Sequence, residues 1–368
     1  MKKYTIVQIG LGPRGIIHLD GFIKNSDRFE IVGICDLIPL KLQSAAEKFS
    51  ISSDKLFTDA QEMMTKLKPD IMSFTTLPHI RTEFVEMAVK HKVKGLLLEK
   101  PMATSVEDAK YITDLCINNG IKAIVCQQHK YLSSFLKLKE FIDSGELGKV
   151  YKIEAACQAW LSQLGTHYMD YILWANGGIG AESVVGHIHG KDLLTDTHPS
   201  PDYIMGEAAM KNGVRINIQC GYFTKPRLKH EADYESGVYP IEFWTDDRLT
   251  VYGETGYAWA ECYGNWGAFT SKTNGKVASG TCTMFDLEQI PAQERYTKDF
   301  AHWMDNDKAV HPCNIELAYH GYEILEAMCI SALDKTRVDL PLALPIKEDV
   351  LKRMAEELPD ITRRKFSM

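Results

Sequence analysis

The chain has 368 residues, more than one hydrophobic core usually organises, so two domains are expected. Hydrophobic residues make up 45% and charged residues 25%, the balance of a soluble globular protein, while a net charge of -7 argues against a nucleic-acid partner or an anionic membrane surface. The nine cysteines contain no C-x-x-C pair, which indicates neither a zinc knuckle nor a disulfide framework and points to reduced, mostly buried thiols. After Met1-Lys2-Lys3-Tyr4 the apolar segment is broken by Gln8 and Gly10, too short for a signal peptide, and nothing approaches a transmembrane run, so a cytoplasmic protein is expected.

Tyr4 to Ile9 is a β-rich run of strand length that leads into Gly10-Leu11-Gly12-Pro13-Arg14-Gly15 and a helix from about Arg14 to Lys24. A lone GxGxxG says little. Between a strand and a helix it is what dinucleotide binding requires: Gly10 permits the turn, Gly12 lets backbone approach a pyrophosphate, and Gly15 allows close helix packing. A second strand, Glu30 to Cys35, ends in Asp36, at about the 20-residue spacing where a carboxylate meets the adenosine ribose hydroxyls. Leu37, Ile38 and Pro39 follow, with no arginine to accept a 2′-phosphate, so NAD is favoured over NADP.

The alternation continues. Thr58-Asp59-Ala60-Gln61 resembles a capping box for a helix reaching Leu67, and Ile71 to Thr75 is the next strand, its end Thr75-Thr76-Leu77-Pro78 facing the cofactor. A helix from Arg81 to His91 leads to Gly95-Leu96-Leu97-Leu98-Glu99-Lys100-Pro101, a buried strand stopped by its proline. Lys100 then stands at the carboxyl end of a central strand, where open α/β sheets bind ligands and a lysine beside apolar surface exchanges protons near neutral pH. Thr104-Ser105-Val106-Glu107 caps another helix, and Ile121 to Cys126 closes a doubly wound parallel unit. From Lys149 onward strand-like runs replace helices: Val150 to Cys157, Arg215 to Tyr222 and Ile241 to Thr245, punctuated by glycines from Gly237 to Gly280. A helical tail runs from Glu316 to Ala332.

Across nearly its whole length the sequence resembles the Gfo/Idh/MocA oxidoreductases. The carriers are Gly10 to Gly15, Asp36, Leu77-Pro78, Glu99-Lys100-Pro101, Ser144 to Val150, Gly165-Thr166-His167-Tyr168-Met169-Asp170, Phe300 to Trp303 and Glu316-Leu317-Ala318. The resemblance implies a Rossmann domain (residues 1–126) and an α/β domain with a large open, mainly antiparallel sheet (residues 127–368). It also implies pairing into dimers or tetramers through that sheet.

The chemistry it implies is hydride transfer between NAD and a hydroxyl or carbonyl of a sugar, polyol, inositol or sugar acid, with Lys100 and His167 moving the proton. Gly10, Leu11, Gly12, Pro13, Arg14, Gly15, Asp36, Thr75, Thr76, Leu77, Pro78, Glu99, Lys100 and Gln128 form the cofactor set, and Lys100, Trp160, Gln163, His167 and Asp170 the substrate set. Helical spacing puts Gln163, His167, Asp170 and Tyr171 on one side and Met169, Ile172 and Leu173 on another. Three departures stand out. The family's aspartate four residues before the histidine is Gln163, which cannot raise the basicity of His167 as a carboxylate would, leaving Asp170 as a substitute. The loop before it, Cys157 to Ser162, is short. The asparagine and histidine that often follow the Pro78 position are His79 and Thr82.

His187 and His189 could point one way from a strand, but nothing pairs with them as a ligand and no metal is assigned. Trp160, Trp266, Tyr168 and Tyr263 are candidates for a sugar pocket. The alternative readings are a non-catalytic dinucleotide-binding sensor on the same fold and an NAD-assisted glycosidase.

Overall fold

The computed structural model describes residues 2–221, 224 and 246–360. The expected strand Ile241 to Thr245, Gly237 and Tyr222 lie outside the described residues. The chain divides into two compact units, residues 1–131 with 287–319, and residues 132–286 with 320–368.

In the first unit six strands form one parallel sheet: β1 (Tyr4–Ile9), β2 (Phe29–Cys35), β3 (Leu56–Phe57), β4 (Ile71–Phe74), β5 (Gly95–Leu98) and β6 (Lys122–Val125). Their order is β3-β2-β1-β4-β5-β6, the doubly wound arrangement, so the chain reverses direction across the sheet between β1 and β4. The register there pairs Ile9 with Phe74, and both strands stop together. Every residue of β4 and β5 is buried, which is why these runs are continuously apolar rather than alternating.

The connecting helices are α1 (Pro13–Lys24), α2 (Pro39–Phe49), α3 (Ala60–Leu67), α4 (Arg81–Lys90) and α5 (Val106–Asn118). Leu19 of α1 and Leu42 and Ala45 of α2 close over Ile34 and Leu11 to form one core cluster. Two caps differ by one residue from expectation. Asp59, not Thr58, accepts the Glu62 amide, and Ser105, not Thr104, accepts that of Asp108. The side chain adjoining the first helical residue is the one within reach of the orphan amides.

The second unit opens with α6 (Ser133–Asp143) and α7 (Thr166–Ala175) and is built on a nine-stranded sheet. Its strands are β7 (Val150–Cys157), β8 (Ala181–His189), β9 (Tyr203–Met210), β10 (Arg215–Gly221), β11 (Asp247–Gly253), β12 (Gly256–Ala260), β13 (Asn265–Phe269), β14 (Ala278–Thr281) and β15 (Val338–Asp339). The order is β14-β13-β12-β11-β7-β10-β9-β8-β15, with β7 and β10 parallel and the other pairs antiparallel.

Two long helices, α8 (Phe285–Asp305) and α9 (Ile315–Asp334), precede the short α10 (Val350–Glu357). Within the second unit α9 lies against β8, the Ser331 hydroxyl accepting the Gly186 amide at 3.0 Å. Val185 and Met205 remain exposed on the sheet.

The compact units differ from the contiguous division drawn at residues 126 and 127, because residues 287–319 pack with the first unit. Arg28 and Tyr4 both bond the Asp305 carboxylate, at 2.5 and 2.8 Å, and Lys122 donates to the Trp303 carbonyl at 2.5 Å. All nine cysteines are free, eight of them buried. Among the described residues no helix is long and apolar enough to cross a membrane.

Candidate active site

The glycine turn after β1 is shaped by what surrounds it. Gly10 has φ +80°, a left-handed backbone, and a side chain there would meet the Thr75 hydroxyl at 2.8 Å. A Cβ on Gly15 would lie 2.0 Å from the Gly10 carbonyl, so only glycine lets α1 start this close to the strand. Around a Cβ at Gly12, by contrast, nothing lies within 4 Å. The turn is therefore tight below and open above, at the start of a helix whose unsatisfied amides favour an anion. That is a fit for a dinucleotide pyrophosphate.

Asp36 follows β2 and sits beside the turn. Its Oδ2 accepts the Leu11 amide at 2.7 Å and its Oδ1 the Ile38 amide at 2.9 Å, which fixes the carboxylate while leaving lone pairs for ribose hydroxyls. Leu37 is 85% exposed, an apolar surface next to this acid. At the end of β4 the Thr75 hydroxyl donates to the Gly10 carbonyl at 3.0 Å, joining the two strand ends across the reversal. Leu77 is exposed and Pro78 buried.

The Glu99-Lys100-Pro101 segment leaves β5 at the same sheet edge. Glu99 is buried, and its Oε1 accepts from Arg14 Nε and faces His18 Nε2, each at 2.9 Å. Burial works to raise this carboxyl, but the Arg14 charge and the His18 hydrogen bond outweigh it and hold Glu99 well below the glutamate range. Arg14 and His18 are four residues apart on α1, so one helix face delivers both to one carboxylate. Burial lowers His18 itself, with Glu99 opposing.

Lys100 keeps some accessible surface, yet protein surrounds its ammonium. Burial first, then Arg14 and Arg81, push it down against Glu99, to about 8. A lysine in that range takes up and releases a proton at physiological pH.

Beneath lies Cys126, directly after β6, whose Sγ accepts from Arg14 Nη2 at 3.2 Å and donates to Gln128 Oε1 at 3.3 Å. His18, Glu99 and Cys126 bring ligand atoms within 4.8 Å of one another, but the Arg14 guanidinium bridges two of the three and already supplies the positive charge. His129 is buried, and burial with the charges of Arg14 and Lys100 lowers it to about 3, so it is a neutral imidazole.

The second unit carries its own cluster on α7. His167 and Asp170 are 3% and 1% exposed, and the His167 ring lies 5.9 Å from that of Tyr171. Gln163 departs from expectation. It lies in a wide turn, Leu161–Gly165, that precedes α7, and it is exposed, so it does not share the buried face of His167 and Asp170. A turn of π-type spacing breaks the i, i+4 relation on which the shared face was argued.

Tyr168 also departs. It is fully buried against Phe135 and Tyr171, at 6.4 and 5.3 Å between rings, and so belongs to the core rather than a sugar pocket. Trp266 packs on Phe141 of α6 at 5.7 Å. Trp160 is half-buried just ahead of the wide turn, Tyr263 is half-buried, and His187 is exposed.

The cofactor residues expected from sequence thus follow directly on β1, β2, β4, β5 and β6. Sequence reasoning missed the partners beneath them: His18, Cys126, His129 and above all Arg81. The spacing of Arg14 and His18 was a readable signal. So was a cation opening a helix, where the dipole disfavours it.

Residues 4–127 match the family model Gfo/Idh/MocA, described as an oxidoreductase family with an NAD-binding Rossmann fold. A 142-residue stretch is 25% identical to the inositol 2-dehydrogenase of Salmonella typhimurium, covering 38% of this chain and 42% of that protein, so the chain spans less than half the length of this curated relative. An Agrobacterium radiobacter oxidoreductase solved with NAD+, L-tartaric acid and magnesium superposes with a TM-score of 0.73 at 18% identity, over 92% of this chain and 98% of that one. The Bordetella pertussis WlbA dehydrogenase, solved with NADH and UDP-GlcNAcA, gives 0.69 at 18%, over 93% and 100%. At these identities the two structures establish the fold.

Proposed function

We propose that the chain is a dehydrogenase of the Gfo/Idh/MocA type, moving a hydride between NAD and a CH–OH carbon of a sugar, polyol, inositol or sugar acid, a reading supported by the match of residues 4–127 to that family's model. The observation that carries this reading is Lys100, an amine brought to about 8 at the carboxyl end of β5, two strands from the glycine turn.

When bound, the nicotinamide supplies the hydride acceptor or donor. The chain supplies the rest. A carbon gives up hydride only as its hydroxyl gives up a proton, so a base at that oxygen is required, and Lys100 is assigned to it. His167 of the second unit is assigned a second proton-transfer role, and Trp160, Gln163 and Asp170 substrate contacts, on the likeness of the Gly165 to Asp170 stretch to the family.

Asp36 repels a 2′-phosphate and so sets NAD above NADP. Since Gln163 brings no charge, a substrate carboxylate near the reacting hydroxyl would supply one, which favours sugar acids over neutral polyols. Self-association is assigned to the open sheet face that carries Val185 and Met205.

The test is a panel of polyols, aldoses, inositols and sugar acids incubated with protein and NAD+, and of keto analogues with NADH, followed by nicotinamide absorbance. The reading expects turnover within this panel, strongest for sugar acids. Tight NAD binding with no turnover in either direction would replace it with the sensor reading.

A further inference from the structure

Arg81 is 2% exposed and opens α4, where a positive charge opposes the helix dipole. Among the described residues no carboxylate forms an ion pair with it. Its guanidinium is spent on main-chain carbonyls: Nε and Nη2 donate to the Thr76 carbonyl at 3.2 and 2.9 Å, and Nη1 donates to those of Glu99, at 2.6 Å, and Pro101. Burial, opposed only by Glu99, brings the group down to about 10, and it remains a cation at neutral pH.

A buried, dipole-opposed cation that no described carboxylate pairs with lowers stability, and an apolar side chain would fill the same space without that cost. What the arginine achieves is geometric. Its planar fork ties the chain leaving β4 to the chain leaving β5, and the two Nη1 acceptors flank Lys100 on either side in sequence.

We propose that Arg81 is a positioning residue for Lys100, clamping the Thr76 and Glu99–Pro101 segments so that the lysine amine is held at the carboxyl edge of the sheet. The proposal rests on Lys100 serving the dehydrogenase reaction, and one of its readouts does not depend on turnover. The Arg81→Lys variant keeps the charge but gathers its donors on one nitrogen, so it cannot span three separate carbonyls. Glutamine removes the charge as well.

The experiment compares wild type, Arg81→Lys and Arg81→Gln, each first checked for native circular dichroism and NAD+ binding. The state of Lys100 is read from the pH dependence of its acylation by a small amine-reactive reagent, measured by peptide mass spectrometry. Wild type should show a midpoint near 8. In Arg81→Gln the midpoint should rise by about 1 unit, since a like charge and part of the burial are lost together. Arg81→Lys should rise less.

With an active substrate, both variants should lose turnover by about 10- to 100-fold while NAD+ affinity stays within about threefold, since a catalytic group is misplaced rather than removed. Folded, NAD-binding variants with an unchanged Lys100 midpoint and normal turnover would overturn the proposal. Failure of both variants to fold would overturn it too, by making the arginine a folding requirement. Should the wild type turn over nothing, a raised midpoint in Arg81→Lys, where the charge is kept, still supports the clamp while the dehydrogenase reading falls.

Discussion

Replacing Glu99 by glutamine removes one negative charge from a buried, hydrogen-bonded cluster of the first unit. The carboxylate meets Arg14 and His18 at 2.9 Å each and accepts the Lys100 amide at 3.3 Å. Losing a charged partner from such bonds costs about 1.5 to 3 kcal/mol apiece, but the Arg14 side chain keeps 32% of its surface and water recovers part of its share, so about 2 kcal/mol is expected overall. Because the folded carboxyl is depressed, this stabilisation is present above the ordinary glutamate value of 4.5 and is lost as pH falls from there through the lower folded value.

The same change acts on Lys100 in the opposite sense to loss of Arg81. Glu99 holds the ammonium up, so glutamine lets burial and the two arginines prevail, and the Lys100 midpoint should fall by about 1 unit from its value near 8. Thermal unfolding at pH 7 and pH-dependent acylation of Lys100 measure the two effects on one sample. An unchanged Tm together with an unchanged midpoint would refute the electrostatic account of this cluster.

Gly15→Ala should weaken NAD binding by more than about tenfold, since its methyl would overlap the Gly10 carbonyl and push α1 away from the turn; calorimetric titration reads this, and near-normal affinity would exclude the turn as the phosphate site. Titration of the wild type with both cofactors should favour NAD+ over NADP+ by at least about tenfold, whereas Asp36→Ser should narrow the gap. In the second unit, burial raises Asp247 to about 7, against bonds from Cys262 and Tyr168 that oppose it. A carboxyl raised on folding stabilises the fold below its ordinary value of 3.8 and loses that contribution as pH climbs toward 7, so wild-type stability should fall by a few kcal/mol across this window relative to Asp247→Asn. Parallel pH dependences in the two proteins would contradict it.

The first unit was legible because its strands are short apolar runs between glycine, proline and capping signals, and buried parallel strands need no more than that. The second unit was legible only in outline. Strands such as β7 and β10 showed their runs, but α8 was hidden by Pro291, which reads as a breaker yet lies inside the helix. Gln163 was placed on the His167 face by assuming an unbroken helix, and a wide turn is invisible to a 3.6-residue period. The candidate cofactor residues were read from the spacing of glycines and acids. The partners that set their ionisation were not, because Arg81 and Cys126 act through contacts between segments remote in sequence. Tyr168 shows the converse: an aromatic beside a catalytic candidate is still most simply core.

The central claim is that Lys100 is the proton-transfer group of an NAD-dependent oxidation, and the pH dependence of kcat/KM tests it most directly. With the best substrate of the panel, wild-type kcat/KM for alcohol oxidation should rise with pH and level off around a midpoint near 8, as the free amine becomes available. Lys100→Met should lose about 10²- to 10⁴-fold in rate and the midpoint with it, while still binding NAD+. A Lys100→Met protein that turns over normally with the same pH profile would contradict the account.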